Sequence, residues 1–138
     1  MRFTKSSLAI SLSRLSVFEK PSLALEQYPT DSEVAADLLW KAYQLGDIEA
    51  QTVADLGCGS GILGIGALIL GAKETFFIDI DNDAIDILKE NLRREGLSNN
   101  ARVLNIPVTT FRERVSVIIQ NPPFGTKTKH ADRPFLET

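Results

Sequence analysis

The chain is 138 residues long, 43% hydrophobic and 24% charged, with 15 Lys and Arg against 18 Asp and Glu for a formal net charge of −3. That length suits one domain able to bury roughly 65–70% of the surface its unfolded chain exposes, and the acidic balance excludes a protein that coats nucleic acid by charge alone. A local basic patch is not excluded, since Arg2, Lys5, Arg14 and Lys20 stand against only Glu19 near the N-terminus. Cys58 and His130 are the single cysteine and histidine, so neither an internal disulfide nor a Cys/His metal cage can form, and no metal is expected. A reducing, cytoplasmic setting fits that cysteine usage. No membrane segment is expected either. The longest apolar run, residues 62–72, is broken by glycines and too short to cross a bilayer, and the N-terminus lacks a signal-peptide pattern.

Leu8, Leu12 and Leu15 recur at helical spacing, which predicts a short amphipathic helix over 5–15 with a basic outer face. An irregular stretch follows around Pro21 and Pro29. Thr30, Asp31 and Ser32 signal a helix start, with Val34, Leu38, Leu39 and Leu45 as the apolar stripe and Gly46 as the stop. From Thr52 the pattern turns to strand at 53–56, then glycine turns, then a buried helix over 62–70 ending at Gly71. Residues 75–80 are aromatic and β-branched and predict a second strand. Its helix runs from about Asn82 through Ile85, Leu88 and Leu92 to Gly96. A weaker third strand spans 102–106 and stops at Pro107. A fourth, at 115–119, must end at Asn121-Pro122-Pro123, because proline cannot donate to a ladder. Strands alternating with helices require right-handed crossovers and a doubly wound, Rossmann-like parallel sheet of the α/β class.

Asp55-Leu56-Gly57-Cys58-Gly59-Ser60-Gly61 lies at the first strand-to-helix turn. Glycines there let the backbone approach a ligand, and the helix N-terminus offers free N–H groups. Asp79 ends the next strand about twenty residues on, a spacing that suits a carboxylate accepting from both hydroxyls of a ribose. Ile80 beside it can cover one face of an adenine. Gly59-Ser60-Gly61-Ile62-Leu63-Gly64 also matches the dinucleotide fingerprint, so a nicotinamide or flavin nucleotide is an alternative. Against it, Asp55 aims a negative charge at the loop, which repels a pyrophosphate but suits a cofactor carrying an ammonium and a sulfonium. Asp81 and Asp83 read as helix-capping residues.

Asn121-Pro122-Pro123-Phe124-Gly125 follows the fourth strand and projects from the same sheet edge as the glycine loop. An Asn before proline is biased to extended backbone, and two prolines fix φ through the turn. The product is a rigid shelf with an amide oxygen, a bare proline carbonyl and an aromatic ring. Such a shelf suits an exocyclic amine on a planar ring. Two acceptors hold its N–H groups, the ring stacks on Phe124, and aiming the lone pair at an electrophilic methyl supplies an orientation effect. No strong base is needed, since the amine becomes acidic only once alkylated.

These motifs resemble the class I S-adenosylmethionine-dependent amino-methyltransferases. Residues Leu25-Glu26-Gln27-Tyr28-Pro29-Thr30 and Lys129-His130-Ala131-Asp132-Arg133-Pro134-Phe135-Leu136 further resemble the archaeal and eukaryotic methyltransferase-like protein 5 group, which methylates adenine N6 in small-subunit ribosomal RNA. The resemblance implies S-adenosyl-L-methionine as cofactor. Gln27, Tyr28 and Thr30 would close over its methionine end. Asp55, Gly57, Gly59 and Gly61 would line its middle, Asp79 would hold the ribose and Ile80 the adenine. Asn121, Pro122, Pro123 and Phe124 would form the catalytic turn, with Asn121 also next to the cofactor. Residues 1–31 would be an N-terminal helix and cofactor-closing segment, and 32–138 a Rossmann-like core within one domain, 1–138.

Two departures stand out. The family's acidic residue after strand three is replaced by Ile106-Pro107-Val108, and the family continues with three more strands. By analogy the sheet order is 3-2-1-4, with strand four an open edge that invites self-association or a partner strand. RNA is the expected partner, held weakly by Lys5, Arg14, Lys127, Lys129 and Arg133. Alternatives are a protein glutamine or DNA adenine acceptor, or an inactive cofactor-binding subunit that serves as an interaction module.

Overall fold

The computed structural model describes residues 4–15 and 31–120. Within them, α1 (Lys5–Ser13) and α2 (Ser32–Gln44) precede β1 (Thr52–Leu56), α3 (Ile62–Ile69), β2 (Glu74–Ile78), α4 (Asn82–Glu95), β3 (Ala101–Leu104) and β4 (Val117–Gln120). The strands form one parallel sheet in the order β3-β2-β1-β4, the order that the resemblance implies.

The two sheet faces are covered differently. Val53, Phe77 and Ile119 join one apolar core with Leu8 and Leu12 of α1, Ala35, Ala36 and Leu39 of α2, Ile65 of α3 and Leu88 of α4. The alternate residues Ala54, Leu56, Phe76 and Ile78 face a smaller cluster closed by Phe111, with Leu104, Ile106, Val108 and Val115 at its rim. Side chains of one strand point alternately to opposite faces, so each strand feeds both cores.

Several expectations hold with shifted bounds. Leu8, Leu12 and Leu15 are buried as expected, and Thr4 opens α1 with a capping box, accepting from Ser7 N–H at 3.0 Å while Thr4 N–H donates to Ser7 Oγ. Strand two ends at Ile78 rather than at residue 80, and strand three at Leu104 rather than at 106. The reason is register. Leu56, Ile78 and Leu104 lie side by side, and beyond them Gly57 and Cys58 both donate to the Ile78 carbonyl, which ends the ladder. Strand four starts at Val117, two residues later than its apolar run suggests, with Ser116 N–H donating to Thr52 O just ahead of it.

The stripe of α2 is a correction. Ala35, Ala36 and Leu39 are buried, whereas Val34, Leu38 and Leu45 are exposed. Leu39 packs against α3 where Gly66 lacks a side chain; a Cβ there would run into Leu39 Cδ1. Leu38 instead lines a cavity of about 360 Å³ with Leu39, Ala42, Ile48 and the whole of β4. Among the described residues no strand pairs with the outer side of β4, and Ile118 is 38% exposed there. No helix among the described residues is long and apolar enough to cross a membrane.

Candidate functional site

The site forms where parallel β1 and β2 end. Gly57, Gly59 and Gly61 all have positive φ (72°, 58° and 97°), so the chain reverses tightly before α3 begins. Gly61 is the N-cap of α3 and has no side chain to cap with; at φ 97° a side chain would be strained, and its Cβ would also displace Leu88 Cδ1 of α4. The capping acceptor comes instead from the strand. Asp55 Oδ2 accepts the Gly64 N–H at 2.8 Å, three residues into the helix. Gly64 itself must be bare, because a Cβ there would run into Phe77 Cε1 of β2.

Asp55 is 1% exposed. Burial pushes its carboxyl up to about 7, the neighbouring Asp79 charge adds to the shift, and the Gly64 N–H opposes it. Burial also raises the Cys58 thiol, and the charges of Asp55 and Asp79 act in the same sense. Cys58 is therefore a poor nucleophile here.

Asp79 sits just beyond β2 and links both turns. Its Oδ2 accepts Gly59 N–H at 2.8 Å and its Oδ1 accepts Asp81 N–H at 2.9 Å. A carboxylate has about four lone-pair positions, so this clamp leaves capacity for two hydroxyl donors. Ile80 follows, 66% exposed, an apolar surface beside that carboxylate. A Cβ on Gly59 would meet no atom within 4 Å, so space is open above the loop. Open space over Gly59, a carboxylate with spare acceptors and an exposed apolar side chain together fit a nucleoside with a free ribose. Asp81 is the N-cap of α4, accepting from Asp83 and Ala84 N–H, in the capping role read from sequence; Asp83 lies in the first turn.

Sequence reasoning missed two supports. Asn91, fully buried on α4, donates from Nδ2 to Ser60 O at 3.1 Å. Asn105 donates from Nδ2 to Asp79 O at 3.0 Å, just ahead of Ile106-Pro107-Val108. Asn91 had a legible signal, a polar residue on the stripe of Ala84, Leu88 and Leu92; Asn105 had none.

Gln27, Tyr28, Thr30, Asn121, Pro122, Pro123 and Phe124 lie outside the described residues, as do Lys127, Lys129 and Arg133. What is described is the strand leading to the Asn-Pro-Pro-Phe segment. Gln120 ends β4 in register with Leu56, so the chain leaves β4 beside the start of the glycine loop. Of the basic residues in the first helix, Lys5 is paired with Asp37 at 2.9 Å, while Arg14 is the C-cap of α1, its carbonyl accepting from Arg94.

The family model described as ribosomal protein L11 methyltransferase (PrmA) matches residues 36–122. The rRNA N(6)-adenosine-methyltransferase METTL5 of Danio rerio is 39% identical over 133 residues, covering 92% of this chain and 64% of its own. Its Drosophila melanogaster counterpart is 39% identical over 126 residues, covering 87% and 59%. A crystal structure described as a candidate RNA methyltransferase from Pyrococcus horikoshii is 50% identical with a TM-score of 0.86, covering 96% of this chain and 66% of that one. The chain thus spans about 64% of the Danio rerio relative's length. With residues 36–122 matched, well over half of it, the chain belongs to the methyltransferase family of the PrmA type.

Proposed function

We propose that this protein is an S-adenosylmethionine-dependent N-methyltransferase acting on the exocyclic amine of adenine in RNA, with ribosomal RNA as the substrate. One observation carries the reading. The strand that leads into Asn121-Pro122-Pro123-Phe124 ends in register with the strand that leads into the glycine loop, Gln120 beside Leu56. Cofactor and acceptor chemistry therefore start from adjacent strands. RNA as the substrate is supported by the relatives described as rRNA N(6)-adenosine methyltransferases.

In this reading residues 1–138 are one cofactor-binding domain of a cytoplasmic protein. When bound, S-adenosylmethionine supplies an electrophilic methyl on a sulfonium. Asp79 holds the ribose with its spare acceptor positions, and Ile80 covers the adenine. Gly57, Gly59 and Gly61 keep the loop bare for close approach, and buried Asp55 caps α3 beneath it, where cationic groups of the cofactor would favour its ionised form. Gln27, Tyr28 and Thr30 close the methionine end. Asn121 and the Pro122 carbonyl grip the target amine, Pro123 stiffens the turn, and Phe124 stacks on the base, an interaction worth about 1–3 kcal/mol. Orientation rather than proton abstraction provides the rate gain.

A protein acceptor is the second reading, favoured by the description of the family model. Incubation with methyl-labelled S-adenosylmethionine and separated ribosomal RNA, DNA and ribosomal protein decides between them. Label in RNA, recovered as N6-methyladenosine, is expected. Label in protein or DNA, or none, overturns the proposal.

A further inference from the structure

Asn91 is a side-chain amide buried to 0% exposure on the α4 stripe otherwise made of Ala84, Ile85, Leu88 and Leu92. Burying an amide is unfavourable unless it is hydrogen-bonded. Its Nδ2 reaches the Ser60 carbonyl at 3.1 Å, across 31 positions of sequence. Ser60 stands between Gly59 at φ 58° and Gly61 at φ 97°, the tightest part of the turn. Leu88, one helical turn earlier on α4, occupies the space a Cβ on Gly61 would need. The helix thus grips the loop at two neighbouring points, one polar and one apolar. A carbonyl needs a donor, which an amide has and an ionised carboxylate lacks.

We propose that Asn91 is a positioning residue for the glycine loop, holding the Ser60 carbonyl so that the turn from Gly59 to Gly61 stays shaped for its ligand. This rests on the reading of that loop as the cofactor site. Asp55 and Asp79 anchor the loop from the strands, at Gly64 and Gly59; Asn91 supplies the anchor from the helix layer. Holding the loop in advance lowers the ordering cost of binding.

The test compares Asn91→Leu and the milder Asn91→Ser, whose hydroxyl is too short to reach, with Leu92→Ala. Leu92 is 2% exposed on the same helix, belongs to the main apolar core, and has no polar atom to bond the loop. Amide hydrogen exchange at residues 59–61 is measured without ligand, alongside thermal melting and S-adenosylmethionine calorimetry. Both Asn91 variants should speed exchange at 59–61 and weaken the cofactor about tenfold, the effect of one buried hydrogen bond. Leu92→Ala should lower the melting temperature while leaving loop exchange and affinity within about threefold of wild type. Wild-type exchange in both Asn91 variants, or equal loosening in Leu92→Ala, overturns the proposal. Should the wild-type protein bind no S-adenosylmethionine, the proposed function fails, and the exchange comparison still decides the role of Asn91.

Discussion

The helix-covered face of the sheet and the opposite face are built from the same strands, yet the first supplies more of the contacts that shape the glycine loop. On the helical side Phe77 packs where Gly64 lacks a side chain, Asp55 caps α3, and Leu88 and Asn91 of α4 hold the loop. On the other side Ala54, Leu56, Phe76 and Ile78 meet Phe111 and a few rim residues, with Phe76 and Phe111 edge to face at 5.5 Å. The lesson is one of division. The helical face carries both the main core and the shape of the ligand loop, so damage there should cost stability and binding together.

Phe77→Ala is expected to have the largest effect, about 3–5 kcal/mol by chemical denaturation, with loss of cofactor binding. Phe111→Ala should cost less, about 3 kcal/mol, because its more open surroundings can relax, and should spare binding. Equal binding losses in the two variants would erase the distinction.

A second effect comes from Asp55. Its folded value near 7 lies above the ordinary 3.8, so the folded state holds a proton that the unfolded state has lost. That contribution is complete below about pH 4 and disappears as pH rises through 7, a loss of up to about 4 kcal/mol. Asp55→Asn should match wild type at low pH and exceed it at pH 8 in denaturant titrations. Parallel pH profiles would show that the carboxyl titrates normally.

At the edge of the sheet, β4 is open among the described residues, with Ile118 exposed. A polypeptide of these 138 residues is expected to self-associate through that edge in light scattering, and Ile118→Lys to reduce the effect. A monodisperse wild-type monomer would count against an adhesive edge. The smallest effect is expected at Lys5. Its exposed pairing with Asp37 should make Lys5→Ala nearly neutral in melting and minor in RNA affinity.

Much of this was legible in the chain. The alternating strands and helices and the Asp81 cap follow from local chemistry and stand in the fold, and Asp79 lies at the end of β2 beside the glycine loop, with Gly59 N–H on its Oδ2. The buried face of α2 is not legible from hydrophobic periodicity, because the space that seats Leu39 is made by the bare Gly66 of α3, far along the chain. Strand ends were misplaced because they depend on where the neighbour stops, as Leu104 stops with Ile78. Asn105 escaped notice because its partner is a backbone carbonyl 26 residues away.

Titration calorimetry of S-adenosylmethionine and NAD against wild type and Asp79→Ala tests the central claim most directly. Asp79 clamps Gly59 and Asp81 and has acceptor positions to spare for a ribose. Wild type should prefer S-adenosylmethionine, and Asp79→Ala should weaken it by about 1.5–3 kcal/mol, the range for hydrogen bonds to a charged group. Unchanged affinity in the variant, or tighter binding of NAD by wild type, would contradict the assignment of this loop.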